Sequence, residues 1–168
     1  VSVLQDMVSA YRSPRAVFRR RVGDGTPRED RALAVLMFAC ALVFAAQMPR
    51  LARQAHETGE ELNMLLGATL LGWLFIMPLV LYALGTISHV IARIVGGKGS
   101  PYTARFALFW ALLCATPVWL LWGLVAGFIG PGVQLSLVGL LALVVFLLFW
   151  SINLREAERG PVETNKAE

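Results

Sequence analysis

Between Phe106 and Leu154 the chain carries no formal charge. That run is about twice the roughly 20 residues an α-helix needs to cross a bilayer. Only Gly127-Phe-Ile-Gly-Pro-Gly132 interrupts it, and such a glycine–proline cluster suits a tight reversal. Lipid offers open backbone no hydrogen-bond partner, whereas a helix satisfies its own. The run is therefore read as two membrane helices joined by a hairpin, in an all-α integral membrane protein.

The rest of the chain fits that frame. At 168 residues it is one domain by length, and its 57% hydrophobic content exceeds the roughly 45–50% of soluble domains. Charged residues make up only 15% and gather at the ends and in two loops. A net charge of +4 would suggest nucleic acid for a soluble protein. Here the arginines flank apolar spans, so topology and anionic lipid headgroups account for them and no nucleic-acid partner is expected. Cys40 and Cys114 fall inside apolar spans and are expected to pack as small hydrophobes, without disulfide or zinc spacing. The first apolar span begins only near Leu33, behind an arginine-rich segment, and is expected to act as an uncleaved anchor.

Leu4, Met7, Val8 and Tyr11 recur at i, i+3, i+4, i+7, the stripe of an amphipathic helix too short to span. Ser13-Pro14 predicts the N-cap and first residue of a second short helix, with Val17, Phe18 and Val22 among Arg12, Arg15, Arg19, Arg20 and Arg21. Residues 1–25 are thus expected to lie in the headgroup plane, ending in a turn at Gly23-Asp-Gly25. Thr26-Pro-Arg-Glu29 and Thr58-Gly-Glu-Glu61 read as capping boxes that open the first and second membrane helices. Pro49 is expected to mark the exit of the first span. Leu62 to Ala92 is too long for one straight crossing and too short for two, which predicts one tilted helix kinked near Pro78 and ending at Gly96. Ser100-Pro101 repeats the N-cap and proline signal ahead of the third span, where Pro117 is a possible bend. The membrane domain is placed at 26–157, with spans at about 30–48, 62–94, 103–128 and 133–153, followed by a frayed polar tail at 158–168.

Thirteen of the fifteen basic residues lie on one side of a four-span arrangement; only Arg50 and Arg53 lie on the other. The positive-inside rule then puts both termini in the cytoplasm. A fifth span would break that pattern.

No Asp, Glu, Lys or Arg sits in the middle of a span, and no nucleophile is paired with a base. This weighs against pumps, coupled transporters and intramembrane enzymes, and no cofactor or metal is expected. His56 and His89 fall on opposite sides and cannot share a metal. Pro78, Tyr82, Gly85, His89 and Arg93 form the most polar stripe. It is either a cleft where His89 and Arg93 meet a headgroup or partner helix, or a packing seam in which Gly85 allows close approach and His89 bonds a carbonyl. Gly96-Gly-Lys-Gly-Ser100 lacks the spacing of a phosphate loop and reads as a helix cap and turn, with Lys98 able to touch lipid phosphate. Small residues four apart recur, and Gly123/Gly127 is the pair chosen as a packing interface. Trp110, Trp119, Trp122, Trp150 and Tyr102 are placed in the aromatic belts, with Trp73 packed between helices.

Three short motifs carry a family resemblance: Tyr11-Arg-Ser-Pro14 through Val17-Phe18, Gln47-Met-Pro-Arg50, and Gly96-Gly-Lys-Gly-Ser100 before the Pro117-containing span. In layout the chain resembles a small bacterial member of the Ypt-interacting-protein (Yip) domain family over about residues 5 to 155. The resemblance implies a multispanning helical protein with a cytoplasmic N-terminus. Eukaryotic relatives work in vesicle traffic with small GTPases and organise membranes, and no catalytic residue is implied. Four spans stand here where the family usually has five, and the Asp-Leu-Tyr-Gly-Pro type motif is missing, so GTPase binding is not carried over.

The expected role is a non-enzymatic inner-membrane scaffold or interaction protein that meets anionic headgroups through Arg15, Arg19, Arg20, Arg21, His89, Arg93 and Lys98. A membrane-protein partner or a second copy is a possible companion. The alternative is a passive transporter or channel for a small or lipid-like solute, motivated by the polar stripe.

Overall fold

The computed structural model describes residues 2–23 and 26–159. Seven α-helices follow one another: α1 (Val3–Arg12), α2 (Pro14–Val22), α3 (Glu29–Thr58), α4 (Leu62–Leu71), α5 (Met77–Ile94), α6 (Pro101–Phe128) and α7 (Val133–Ala157). A π-helical stretch, Gly72–Ile76, joins α4 to α5, so the two make one crossing. Four units are long and apolar enough to span a bilayer: Glu29–Thr58, Leu62–Ile94, Pro101–Phe128 and Val133–Ala157.

α6 is the axis of the bundle. From Tyr102 to Thr116 every residue except Arg105 is buried, because α3, α5 and α7 surround this half and α1 and α2 touch it as well. Beyond Pro117 the helix opens outward, and only Gly123 and Ala126 remain buried. The bundle is therefore tight at one end and splayed at the other. The α3 face that meets α6 carries Ala32, Leu36, Ala39, Val43 and Ala46, a four–three–four–three spacing that keeps small side chains on one seam. Lower on the seam, a Cβ on Gly123 would collide with the Ala46 carbonyl, and one on Gly127 would collide with Pro49. Both glycines thus serve the α3–α6 approach within one chain.

Several local expectations are corrected. α3 does not stop at Pro49 but continues to Thr58. Proline removes one backbone hydrogen bond, yet α6 supports the helix on both sides of the break, through Gly127 against Pro49 and Arg53 Nη1 donating to the Gly127 carbonyl at 3.3 Å. Neither expected capping box opens its helix. α3 starts at Glu29 with Arg28 as N-cap and no side-chain cap bond, and Glu29 is drawn instead to Arg105. Thr58 closes α3, its Oγ1 donating to the Gln54 carbonyl at 2.9 Å, and Gly59 at φ +74° turns the chain toward α4. The kink assigned to Pro78 begins earlier: Met77 N–H donates five residues back to the Gly72 carbonyl, which relieves the turn where proline has no N–H to give. Ser100 and Pro101 do start α6, and Thr103 completes a capping box with Ser100.

The ends of the chain are packed against the bundle. α7 runs to Ala157, and Glu156 and Ala157 are buried. Residues 160–168 of the expected tail, and Asp24 and Gly25 of the expected turn, lie outside the described residues. α1 and α2 form the amphipathic N-terminal segment. They dock on α6 and α7 through Met7, Ala10, Val17 and Phe18, so the buried stripe of α1 is Asp6, Met7 and Ala10, Tyr11 reaches across to α6 and α7, and Leu4 and Val8 face outward. Trp110 is fully buried beneath this docked hairpin, in the core and not in an aromatic belt. Trp73 packs edge-on against Trp119 at 6.2 Å between ring centres.

Candidate functional site

At the tight end of the bundle, three of the seven ion pairs among the described residues centre on Glu156 and Glu158 at the end of α7. Glu156 pairs with Arg19 of α2, and Arg159 Nη1 reaches its other oxygen at 3.5 Å. Glu158 turns toward the opposite neighbour: one carboxylate oxygen lies 3.2 Å from His89 Nδ1 of α5, and the other accepts the Gly99 N–H at 3.0 Å. Its own carbonyl accepts the Lys98 N–H at 2.9 Å. One helical turn thereby joins the N-terminal hairpin on one side to α5 and the α5–α6 loop on the other.

The glycines of that loop follow from this clamp. Gly96, at φ +97°, lets the chain reverse, and the Gly97 N–H donates to the Ala92 carbonyl to close α5. A Cβ on Gly97 would strike the Glu158 carboxylate, and one on Gly99 would strike the Ala157 carbonyl. Glycine is needed here for close approach to α7. His89 accordingly meets a carboxylate of the same chain, where the packing reading expected a carbonyl. Gly85 lies against α6, where an added Cβ would sit 2.8 Å from Arg105 Cγ.

The hairpin itself is tied by charge. Asp6, 2% exposed, holds Arg20 on one oxygen and Arg21 on the other. The Arg21 side chain is only 12% exposed and its guanidinium carbon lies 5.3 Å from the Trp110 ring centre, a cation–π contact over a buried indole. Tyr11 donates to the Cys114 carbonyl at 2.6 Å and meets the Phe149 ring edge-on at 5.0 Å. Burial, and next the neighbouring Cys114, raise the Tyr11 pKa above its ordinary value, so the phenol stays a donor. Nearby, Thr116 Oγ1 donates at 2.7 Å to the Leu113 carbonyl, which the ring nitrogen of Pro117 cannot serve. The hairpin thus reaches α6 within one turn of Pro117.

The basic residues singled out in the sequence are divided by the fold. Arg19, Arg20 and Arg21 hold carboxylates of this chain, although the first two side chains remain 53% and 55% exposed. Arg15, Arg93 and Lys98 are exposed. Asp6, Glu156 and Glu158 were not picked out as site residues. Asp6 sits four positions from buried Ala10 and Glu156 seven from buried Phe149, and that periodicity was the available signal. Among the described residues no three His, Cys, Asp or Glu side chains converge where a metal could sit.

A family model for the Yip1 domain matches residues 8–166, nearly the whole chain. The chain belongs to the Yip1 domain family. The match takes in the Tyr11-to-Phe18 segment, the glycine loop and all four spanning units, so the clamp lies wholly inside the Yip1 domain apart from Asp6. No curated protein and no solved structure matches the chain.

The clamp makes a prediction of its own. Glu158→Ala leaves the Gly99 N–H and the His89 ring without their partner, and losing a buried acceptor costs about 1–3 kcal/mol. Amide exchange in residues 96–100 of the Yip1 domain is expected to accelerate by roughly tenfold or more, with the spans unchanged. Equal exchange in both proteins would mean that the carboxylate does not hold the loop.

Proposed function

We propose that this Yip1 domain protein is a non-enzymatic scaffold or interaction protein of an inner membrane, with both ends of the chain on the cytoplasmic side. The carrying observation is the clamp: the last turn of α7 holds the hairpin, the glycine loop and two spans together at one end. A rigid face costs less ordering on association than a loose one. Arg93 and Lys98 stand exposed beside the clamp, and Arg12 and Arg15 stand exposed on the hairpin it holds, which gives these elements their positive charge. The positive-inside rule orients such a face toward the cytoplasm. Family membership supports a membrane-organising role over a catalytic one.

Passive transport is the weaker reading, because its main motive, the polar stripe of α5, is occupied internally: His89 meets Glu158, and Ser88 donates to the Gly85 carbonyl at 2.8 Å. Native purification with cross-linking tests the scaffold. A defined partner or homo-oligomer is expected to be retained, and Arg93→Glu with Lys98→Glu is expected to release a protein partner held on this face. A solitary monomer, or a partner indifferent to the charge reversal, argues against the reading.

A further inference from the structure

The outer face of α1 carries more apolar surface than the bundle uses. Leu4, Val8 and Tyr11 recur at i, i+4, i+7 and are 64%, 72% and 49% exposed, while Met7 and Ala10 close onto the core. Along this stripe runs an open groove of about 540 Å³ lined by Leu4, Gln5, Asp6, Val8, Ser9 and Arg20. That volume falls in the range of small-molecule sites, roughly 300–1,000 Å³. One wall is hydrocarbon, Gln5 and Ser9 supply amide and hydroxyl groups, and Arg20 forms an edge.

Arg20 brings a cation to the edge of the groove. The Asp6 carboxylate beside it is 2% exposed and divided between Arg20 and Arg21, and Arg21 lies behind the groove over Trp110, so Asp6 only partly offsets Arg20. Arg20 uses Nη2 for Asp6, which leaves Nε and Nη1 as donors on a side chain that is 55% exposed. Arg12 and Arg15 are exposed on the same hairpin. A hydrocarbon wall beside a half-exposed guanidinium matches a molecule with an acyl chain and a phosphate. A second copy of the chain is a poorer fit, since a two-fold contact through α1 would bring like charges together.

We propose that this groove binds one anionic glycerophospholipid. Its phosphate rests on the outer edge of Arg20, its headgroup hydroxyls meet Gln5 and Ser9, and an acyl chain lies along Leu4 and Val8. The site differs from the scaffold reading in its contacts, Leu4, Gln5, Val8, Ser9 and Arg20 with a lipid against Arg93 and Lys98 with a protein partner.

Native mass spectrometry of the whole protein in neutral detergent, offered equal dioleoylphosphatidylglycerol and dioleoylphosphatidylcholine, tests the site. One phosphatidylglycerol per chain is expected to be retained in preference to phosphatidylcholine. Leu4→Asp with Val8→Asp removes the hydrocarbon wall and is expected to lower retention at least about tenfold. Arg15→Gln, outside the groove, is expected to lower it by less than about fivefold, the scale of one surface cation. A photo-crosslinker at position 8 of the otherwise unaltered chain is expected to capture phospholipid, and it reads the site even where the double variant folds poorly. Equal retention of the two lipids, an unchanged double variant, an Arg15→Gln loss as large as that of the double variant, or capture of a second chain or another protein would each overturn the proposal.

Discussion

A Gly123→Val protein is expected to lose the packing of α3 on α6. A Cβ at that position falls on the carbonyl oxygen of Ala46, and the atoms beyond it are the Ala46 backbone, which cannot swing aside as a side-chain tip can. Overpacking ordinarily costs about 1–3 kcal/mol, occasionally more, and a backbone obstacle places this substitution at or above the upper end. Relief would need α3 to shift along the seam from Ala32 to Ala46, which carries much of the buried core. The measurement is the unfolding midpoint of detergent-solubilised protein titrated with dodecyl sulfate. Gly67→Ala is the control: Gly67 lies in α4 with nothing within 4 Å of an added Cβ, so alanine should be neutral or stabilising by up to about 1 kcal/mol. Indistinguishable midpoints for the two variants would show that α3 and α6 do not meet at this glycine.

Asp6→Ala is the second substitution with a large expected effect, and it acts on the hairpin alone. It leaves Arg21, 12% exposed and set over Trp110, without a counter-ion. Removing one partner of a buried pair costs roughly 3–5 kcal/mol, because the remaining charge stays desolvated. Undocking α1 and α2 relieves that cost at the expense of the contacts of Phe18 with Phe106 and of Tyr11 with Cys114 and Phe149. Faster amide exchange across residues 3–22, and new trypsin cleavage after Arg19, Arg20 or Arg21, are expected while the four spans keep their protection. The exposed Arg53–Glu57 pair gives the contrast, since Glu57→Gln should change stability by no more than about 0.5 kcal/mol. If the hairpin stays protected in Asp6→Ala, apolar contact alone holds it.

The legible part of the fold came from lipid. An uncharged stretch of sufficient length has one stable form in hydrocarbon, and the four spanning units could be placed from charge and length alone. Ser100-Pro101 and Gly96 were readable for the same kind of reason, as caps and turns depend on residues adjacent in sequence. That the helix runs on through Pro49 was not legible, because the cost of proline is local while its compensation comes from Gly127 and Arg53 against α6. The arginines of α2 show the same limit. Read alone, Arg19, Arg20 and Arg21 are a basic cluster; in the fold, Asp6 and Glu156 of the same chain also meet them.

The sequence by itself determined that this is a four-span helical membrane protein, because burying backbone and apolar side chains in lipid depends on runs of adjacent residues. The tertiary structure decided that the uncharged run from Phe106 to Leu154 supplies the axis of the bundle, α6, and the helix that ends in its clamp, α7. It also decided that the N-terminal helices dock on these two and leave α1 with an open groove. Those outcomes rest on contacts between residues far apart in the chain, Arg19 with Glu156 and Tyr11 with Cys114 among them. Charge pairing and close packing act through space, so no local pattern announced them.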